Sequence, residues 1–430
     1  MIATSLLILM GLMLLAVPVA ASLGLLGVAL DKAFGFLPLT RAAGEIAWTA
    51  STEFLLVCLP LFILLGEILL RSGIAERMYE ALVKWMSWLP GGLMHANIGS
   101  CALFAATSGS SVATAATIGT VALPQAKRFG YNDRLFLGTL AAGGTLGILI
   151  PPSLNMIVYC VLTNTSVPKL YLAGIIPGLI LVTLFMGSVW IACMVFPAWG
   201  GKGQKVSWSE RIAVLPDLLP PLGIFLVVVG SIYAGIATAT EASALGVVAA
   251  LILAAWKRRL NWKMMLECLE GTMHSTGMVM LVIVAALFLN FVITSIGLTE
   301  LITETLKALD LSAAMMLLVV VLFYLVLGCF METMSMMITT IPIIAPVMFA
   351  LGYDPLWFGI VVIILVEAAL ITPPVGLNLF VVQNLRKSGS LNDVMAGVTP
   401  FLVGMMILLV LLALVPDLAL WLPGLIGDLS

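Results

Sequence analysis

Gly143-Gly144-Thr145-Leu146-Gly147-Ile148-Leu149-Ile150-Pro151-Pro152-Ser153-Leu154-Asn155 lies in the middle of a long apolar run, where an unbroken helix would be expected. Pro151 and Pro152 remove two backbone donors, and Pro151 drives Ile150 out of the helical region. The helix therefore breaks at membrane depth, where freed carbonyls persist only if they line a cavity or are buried in protein. Far downstream the chain repeats the device in Thr372-Pro373-Pro374-Val375-Gly376-Leu377-Asn378. Matching interruptions in two halves of a hydrophobic chain point to a binding site at the bilayer midplane.

Composition agrees with a polytopic membrane protein. Of 430 residues, 62% are hydrophobic and 9% charged, against about 25% charged in soluble domains. Six cysteines stand singly and two histidines are widely separated, so neither a disulfide framework nor a zinc or di-iron site is expected. The start lacks a basic segment, and its apolar character continues to Leu30, which reads as a first transmembrane helix rather than a signal peptide.

Basic residues mark the cytoplasmic side. A helix over about 52–70 ends at Arg71, and 75–89 has the period of an amphipathic interfacial helix. Residues 97–124, rich in Gly, Ser, Thr and Ala, are flanked by Arg71–Lys84 and by Lys127–Arg134. Both ends lie inside, so the segment is expected to enter and return on one face with its tip near Ser110. The broken helix at about 136–163 crosses outward. Spans follow at 171–195, 217–236 and 238–256, then an interfacial piece at 260–273 and a crossing at 276–296. Residues 298–311 repeat the interfacial pattern. Residues 313–350 form a second hairpin with the polar centre Met331-Glu332-Thr333-Met334-Ser335, entered from outside, and a second broken helix covers 356–385 before a last span at 399–421.

Interfacial helix, hairpin and broken helix thus occur twice, about 222 residues apart and with opposite sidedness. This is the pattern of an inverted-topology repeat in an all-α secondary transporter. Pro151 aligns with Pro373 and Pro152 with Pro374, while Pro124 is paired with Pro342 at a slightly different offset. The expected organisation is one integral membrane unit, 1–430: a first repeat core at 75–163, connecting scaffold helices at 164–297, a second repeat core at 298–385 and a C-terminal helix at 386–430.

No Lys or Arg occurs between Lys84 and Lys127, between Arg134 and Lys169, or from Ala308 to Leu385. An anionic cargo held there would depend on helix N-termini, hydroxyls, amides and co-transported cations. Hard oxygen donors suit Na⁺, and inward movement of an anion against an inside-negative potential favours Na⁺ in excess of the cargo charge.

At this point the residues resemble a known family. The run from Ala106 to Gly119, the run from Ala141 to Ser153, Ala239-Thr240-Glu241-Ala242 and the run from Thr372 to Phe380 are similar to the large membrane subunit of tripartite ATP-independent periplasmic (TRAP) transporters. One departure is Thr114, where many members carry an acid. The resemblance implies an elevator-type, Na⁺-coupled importer of a small organic anion (a carboxylate, a sugar acid such as sialic acid, or a sulfonate) in the bacterial inner membrane. It implies a small four-helix membrane subunit and a periplasmic substrate-binding protein as separate partners, with membrane lipid around it. No organic cofactor and no nucleic-acid partner are expected.

The candidate Na⁺ and substrate residues are Ser108, Gly109, Ser110 and Ser111 at the first tip, and Gly144, Thr145, Ser153 and Asn155 at the first break. Glu332, Thr333 and Ser335 stand at the second tip, and Thr372, Gly376 and Asn378 at the second break. Against these stand structural readings: tight packing through small residues and capping of the broken ends. Glu67, Glu241 and Glu367 are further intramembrane acids; Glu241 begins a helix, where its charge suits the dipole. Rival functions are a stand-alone Na⁺/dicarboxylate carrier and a membrane-embedded enzyme. The shortage of His and the lack of an HExxH or nucleophile motif count against the enzyme.

Overall fold

Pro18 divides the expected first span. In the computed structural model, α1 (Ile2–Leu14) ends before it and α2 (Val19–Phe34) begins after it, with Pro18 at φ −53° and ψ 139°. The structure describes residues 1–425 apart from 16, 204–205, 299, 302–311, 329–330, 375 and 387–388. Thirteen residues of α1 reach only about 20 Å, short of a hydrocarbon core about 30 Å thick. The single crossing expected from the sequence is therefore two helices. They are followed by α3 (Ala43–Thr52), α4 (Cys58–Arg71) and α5 (Ile74–Met86). α5 buries Ile74, Met78, Tyr79 and Leu82 and exposes Glu76, Arg77 and Glu80.

Next come α6 (Gly92–Ser108) and α7 (Ser111–Phe129), packed against each other across a turn at Gly109 and Ser110. α8 (Asp133–Leu149) and α9 (Leu154–Thr163) are bent by 42° across the first double proline. α10 (Val167–Val195), α11 (Trp208–Ala213), α12 (Leu219–Tyr233) and α13 (Ala239–Trp256) follow. α13 opens on a reciprocal cap: the Thr238 N–H donates to Glu241 at 2.8 Å, and the Glu241 N–H donates to Thr238 Oγ1 at 3.3 Å. α14 (Trp262–Ser295) runs 34 residues without a break, about 51 Å. The interfacial piece expected at 260–273 and the crossing at 276–296 are thus one continuous helix. α14 packs on α2 and α4, and α13 on α4. Arg71 of α4 pairs with Glu67 and reaches Glu267 of α14 at 3.5 Å.

α15 (Ala313–Leu327) and α16 (Thr333–Ala350) flank the second polar centre; α17 (Pro355–Ile371) and α18 (Leu377–Arg386) flank the second double proline. α19 (Leu391–Leu414) and α20 (Asp417–Leu425) close the chain. The second interfacial helix expected at 298–311 falls mostly outside the described residues. Among the described residues every regular element is a helix. Six of the described helices are long and apolar enough to cross a membrane, or up to eight if each bent pair counts as one span. This is a multi-pass membrane protein.

The helix boundaries keep one spacing. α8 and α17 are both 17 residues long, and their first residues, Asp133 and Pro355, stand 222 apart. The same interval separates the N-caps Ser110 and Glu332, the N-caps Asn132 and Asp354, and the C-caps Ile150 and Thr372. Ile150 and Thr372 share a backbone conformation, φ −84° and ψ 120° against φ −77° and ψ 122°. At this interval Pro124 matches Pro346 rather than Pro342; both later prolines lie inside α16.

A close helix crossing joins α8 to α19. A Cβ on Gly138 would collide with the Gly397 carbonyl, and one on Gly397 with the Arg134 carbonyl. Backbone against backbone leaves nothing to rotate aside, so the position admits no side chain. Gly138→Ala and Gly397→Ala are each expected to destabilise the protein by about 1–3 kcal/mol. Gly230→Ala, with nothing within 4 Å, should leave stability unchanged or raise it by up to about 1 kcal/mol. Thermal unfolding in detergent checks this; equal midpoints for all three would refute the crossing.

Candidate functional site

The first tip is built by its own backbone. Gly109 ends α6 at φ +60°, a left-handed conformation that glycine adopts without steric cost. Ser110 then caps α7, its hydroxyl accepting from the Ala113 N–H at 3.4 Å, while Thr114 Oγ1 donates to the Ser110 carbonyl at 2.7 Å. Thr114 is thus engaged by its own helix end. Ser108 is the last residue of α6.

This tip rests on the first break. A Cβ on Gly109 would lie 3.2 Å from the Pro152 carbonyl oxygen and 3.7 Å from the Leu154 nitrogen. Gly147 of α8 is equally close to the tip: its Cβ would meet the Ser110 carbonyl at 3.2 Å. Gly144 would meet Ala115 at 2.7 Å and the Ser111 carbonyl at 3.1 Å. The small residues of α8 let the hairpin backbone approach.

The second half of the molecule enters the same place through Asn378. Its Nδ2 donates to Ser111 Oγ at 2.7 Å and to the Ala141 carbonyl at 3.1 Å. A carbonyl can only accept, so this pair fixes which end of the amide is nitrogen. Asn378 Oδ1 is then left buried with no hydrogen-bond partner. An unsatisfied buried acceptor costs about 1–3 kcal/mol, so its retention calls for a reason such as strain, chemistry or an ion.

The first break is fully interior. Pro151, Pro152, Ser153 and Asn155 are buried, Ser153 Oγ accepts from the Met156 N–H at 3.4 Å, and Tyr171 donates to the Ser153 carbonyl at 3.5 Å. Thr145 Oγ1 is committed to the Ala142 carbonyl at 2.7 Å. Asn155, like Asn378, is the second residue of the helix after its break, and its Nδ2 is buried without a partner.

The second tip is capped by Glu332, which accepts from the Ser335 N–H at 3.2 Å and from Thr333 Oγ1 at 2.9 Å. Thr333 and Ser335 are buried. At the second break Thr372 Oγ1 donates to the Ala368 carbonyl at 2.7 Å, and Gly376 is packed against the Leu370 backbone. Pro373 and Pro374, unlike Pro151 and Pro152, are exposed. Each short helix after a break packs along the other half's hairpin, α18 on α7 and α9 on α16.

Gly109, Ser110, Ser111, Gly144, Ser153 and Asn378 are therefore brought together. Among the described residues, no hydrogen bond joins Glu332, Thr333 or Ser335 to them. The sequence reading missed Ala141, whose backbone carbonyl is invisible to residue type. It also missed a buried relay in which Tyr79 of α5 donates to Asn97 of α6, and Asn97 to Thr139 of α8, both at 2.9 Å. Lone polar residues inside apolar helices are the signal that could have found it. At the end of the core that carries the basic residues, Arg386 pairs with Asp133 at 3.0 Å and Asp393 at 3.1 Å, and Arg134 with Asp393 at 3.0 Å. These partly exposed pairs add little stability of their own but tie the starts of α8 and α19 to the end of α18. They line a cleft of about 550 Å³ that none of the candidate residues reaches.

Residues 6–418 match the family described as tripartite ATP-independent periplasmic transporter, DctM component. The C4-dicarboxylate TRAP transporter large permease protein DctM of Vibrio cholerae is 32% identical over 97% of this chain and 96% of its own length. The isethionate TRAP transporter permease protein DctMQ of Oleidesulfovibrio alaskensis is 30% identical over 96% of this chain and 65% of its own length. Among solved structures, the YdaH transporter of Alcanivorax borkumensis superposes with a TM-score of 0.62 at 17% identity, covering 98% of both chains. At that identity the likeness concerns the fold.

Packing of the first tip on α8 is directly testable. Gly144→Val should wedge the tip away at a cost of about 1–3 kcal/mol and speed maleimide labelling of a Ser110→Cys variant. Unchanged labelling would show that the tip does not depend on this contact.

Proposed function

Because this chain belongs to the tripartite ATP-independent periplasmic transporter family, as its DctM component, we propose that it couples Na⁺ to uptake of a small organic anion. It is a permease subunit, not an enzyme. The observation that carries the Na⁺ reading is Asn378 Oδ1, a buried acceptor without a partner, on an amide whose nitrogen is held by Ser111 Oγ and the Ala141 carbonyl. Hard oxygen donors of this kind suit a small monovalent cation, and Gly144 and Gly147 leave the backbone close enough to contribute.

The anionic cargo is supported by what surrounds that point. The N-termini of α7, α9 and α18 meet there through Ser111, Leu154 and Asn378. Helix N-termini favour negative charge, and no Lys or Arg lies in α6, α9, α15, α16 or α17. Dipoles and a co-bound cation take the place of a buried arginine. Each unit charge crossing 100 mV involves about 2.3 kcal/mol, so more Na⁺ than anion charge lets the potential assist. The carboxylate and sulfonate named for the two relatives fit such a cradle.

In this reading the two hairpins are re-entrant, the repeats are inverted, and the hairpins with the broken helices move together past α2, α4, α13 and α14 as an elevator in the bacterial inner membrane. The first core is 75–163, the second 298–385, with 164–297 connecting and 386–430 closing. A small four-helix membrane subunit and a periplasmic binding protein complete the assembly, the binding protein delivering the cargo.

Uptake into proteoliposomes containing all three chains, compared under Na⁺ and K⁺ gradients, tests the coupling; equal uptake would reject it. Ser110→Ala and Asn378→Ala are expected to shift Na⁺ activation to higher concentration by about tenfold for each 1.4 kcal/mol of lost binding while the protein remains monodisperse. Unchanged Na⁺ activation in both variants would remove the site.

A further inference from the structure

α17 carries a carboxyl that the Na⁺ site leaves unused. Glu367 is 0% exposed, and neither of its oxygens has a hydrogen-bond partner. Its neighbours along the helix, Ile363, Ile364, Val366 and Leu370, are buried and apolar. Across the helix interface the Leu149 backbone, in the last turn of α8 before the first break, faces it. Glu367 therefore sits where the broken helix of one half abuts the broken helix of the other.

Among the described residues, the elements packed against α17 bring it no compensating charge. Asp133 and Arg134 of α8, Arg386 of α18 and Asp393 of α19 lie at helix ends and are joined in ion pairs. Lys169 of α10 and Asp417 of α20 stand in the first turns of their helices. The hydroxyls of Tyr159, Tyr171 and Tyr324 face the Pro355 carbonyl, the Ser153 carbonyl and Thr340. Cys160 and Cys193 are buried thiols, and α16 has no titratable residue.

An unperturbed glutamic acid at pH 7 favours its ionised form by roughly 500 to 1. An unpaired charge in an apolar interior is disfavoured far more strongly than that, and such groups neutralise instead. We propose that Glu367 is a proton-binding site of the transport core, occupied whenever α17 is packed against α8. The exchange is with water: when movement of the core admits solvent, the carboxyl O–H loses its proton, and the resulting carboxylate cannot return to the apolar contact until it is protonated again. High pH would thus trap the core in its opened arrangement. The identity of the coupling ion does not enter this argument.

The test is uptake by the complete three-chain assembly in proteoliposomes from acid to alkaline pH, with Glu367→Gln as the permanently uncharged mimic and Glu367→Asp as the titratable control. Native uptake should fall at least fivefold toward alkaline pH; Glu367→Gln should retain uptake and lose that fall, and Glu367→Asp should keep it. Parallel profiles for the native protein and Glu367→Gln would overturn the proposal. If Glu367→Gln does not accumulate, infrared spectroscopy of the native assembly decides. At pH 8, where ordinary carboxyls are ionised, a protonated-acid carbonyl band sensitive to deuterium is expected, and its absence would equally overturn the proposal.

Discussion

Peptide groups without partners cannot remain in hydrocarbon, and that constraint shapes most of this structure. Two double prolines interrupt two apolar helices, and each interruption releases carbonyls that have no N–H to accept from. At the first break the solution is complete burial, with Ser153 capping the helix that restarts, Tyr171 reaching the Ser153 carbonyl and the first hairpin tip laid over Pro152. The glycines of α8 follow from the same requirement, because a hairpin backbone can cover a break only if side chains do not hold it off. Gly144 and Gly147 are thus explained by what lies against them rather than by helix propensity, which they weaken.

The two halves are not merely adjacent. Each restarts its broken helix against the other's hairpin, α18 on α7 and α9 on α16. Across that contact Asn378 donates to Ser111 from 267 residues away. The arrangement is not perfectly symmetric. Pro151 and Pro152 are interior whereas Pro373 and Pro374 are exposed, and the residue equivalent to the Ser110 cap is Glu332. A hydroxyl cap and a carboxylate cap perform the same task at a helix start, but only the second adds a formal charge at its tip.

How much was legible in the sequence follows from where each constraint resides. Proline acts on the backbone of its own residue and the one before it, so both breaks could be read directly, and so could the tip at Gly109 and Ser110. Pro18 was passed over because apolarity continues on both sides of it. The basic residues from Lys257 to Lys263 point to an interfacial piece at 260–273, yet α14 runs through it unbroken, because helical continuity does not require an apolar surface. Pro124 pairs with Pro342 only at a shifted offset; the common interval of the helix caps selects Pro346. Contacts between distant residues were out of reach. Nothing marks Gly138 and Gly397 among 39 glycines until the crossing of α8 and α19 is seen, and the Ala141 carbonyl belongs to a residue whose side chain says nothing.

The distribution of charge then separates two kinds of work in one core. Cations are confined to the ends, where Arg134 and Arg386 bind Asp133 and Asp393, and these pairs can be made and broken against water at little cost. Inside, partial charges replace formal ones: helix N-termini, hydroxyls and one amide whose oxygen points nowhere. A fixed arginine there would hold an anion strongly in every arrangement of the core and would itself have to cross the membrane field with each movement. In the proposed Na⁺-coupled reading, cations that enter and leave with the cargo avoid both difficulties. Glu367 obeys the same rule from the opposite sign, since a carboxyl in that interior is tolerable only while its charge is cancelled by something that can also leave.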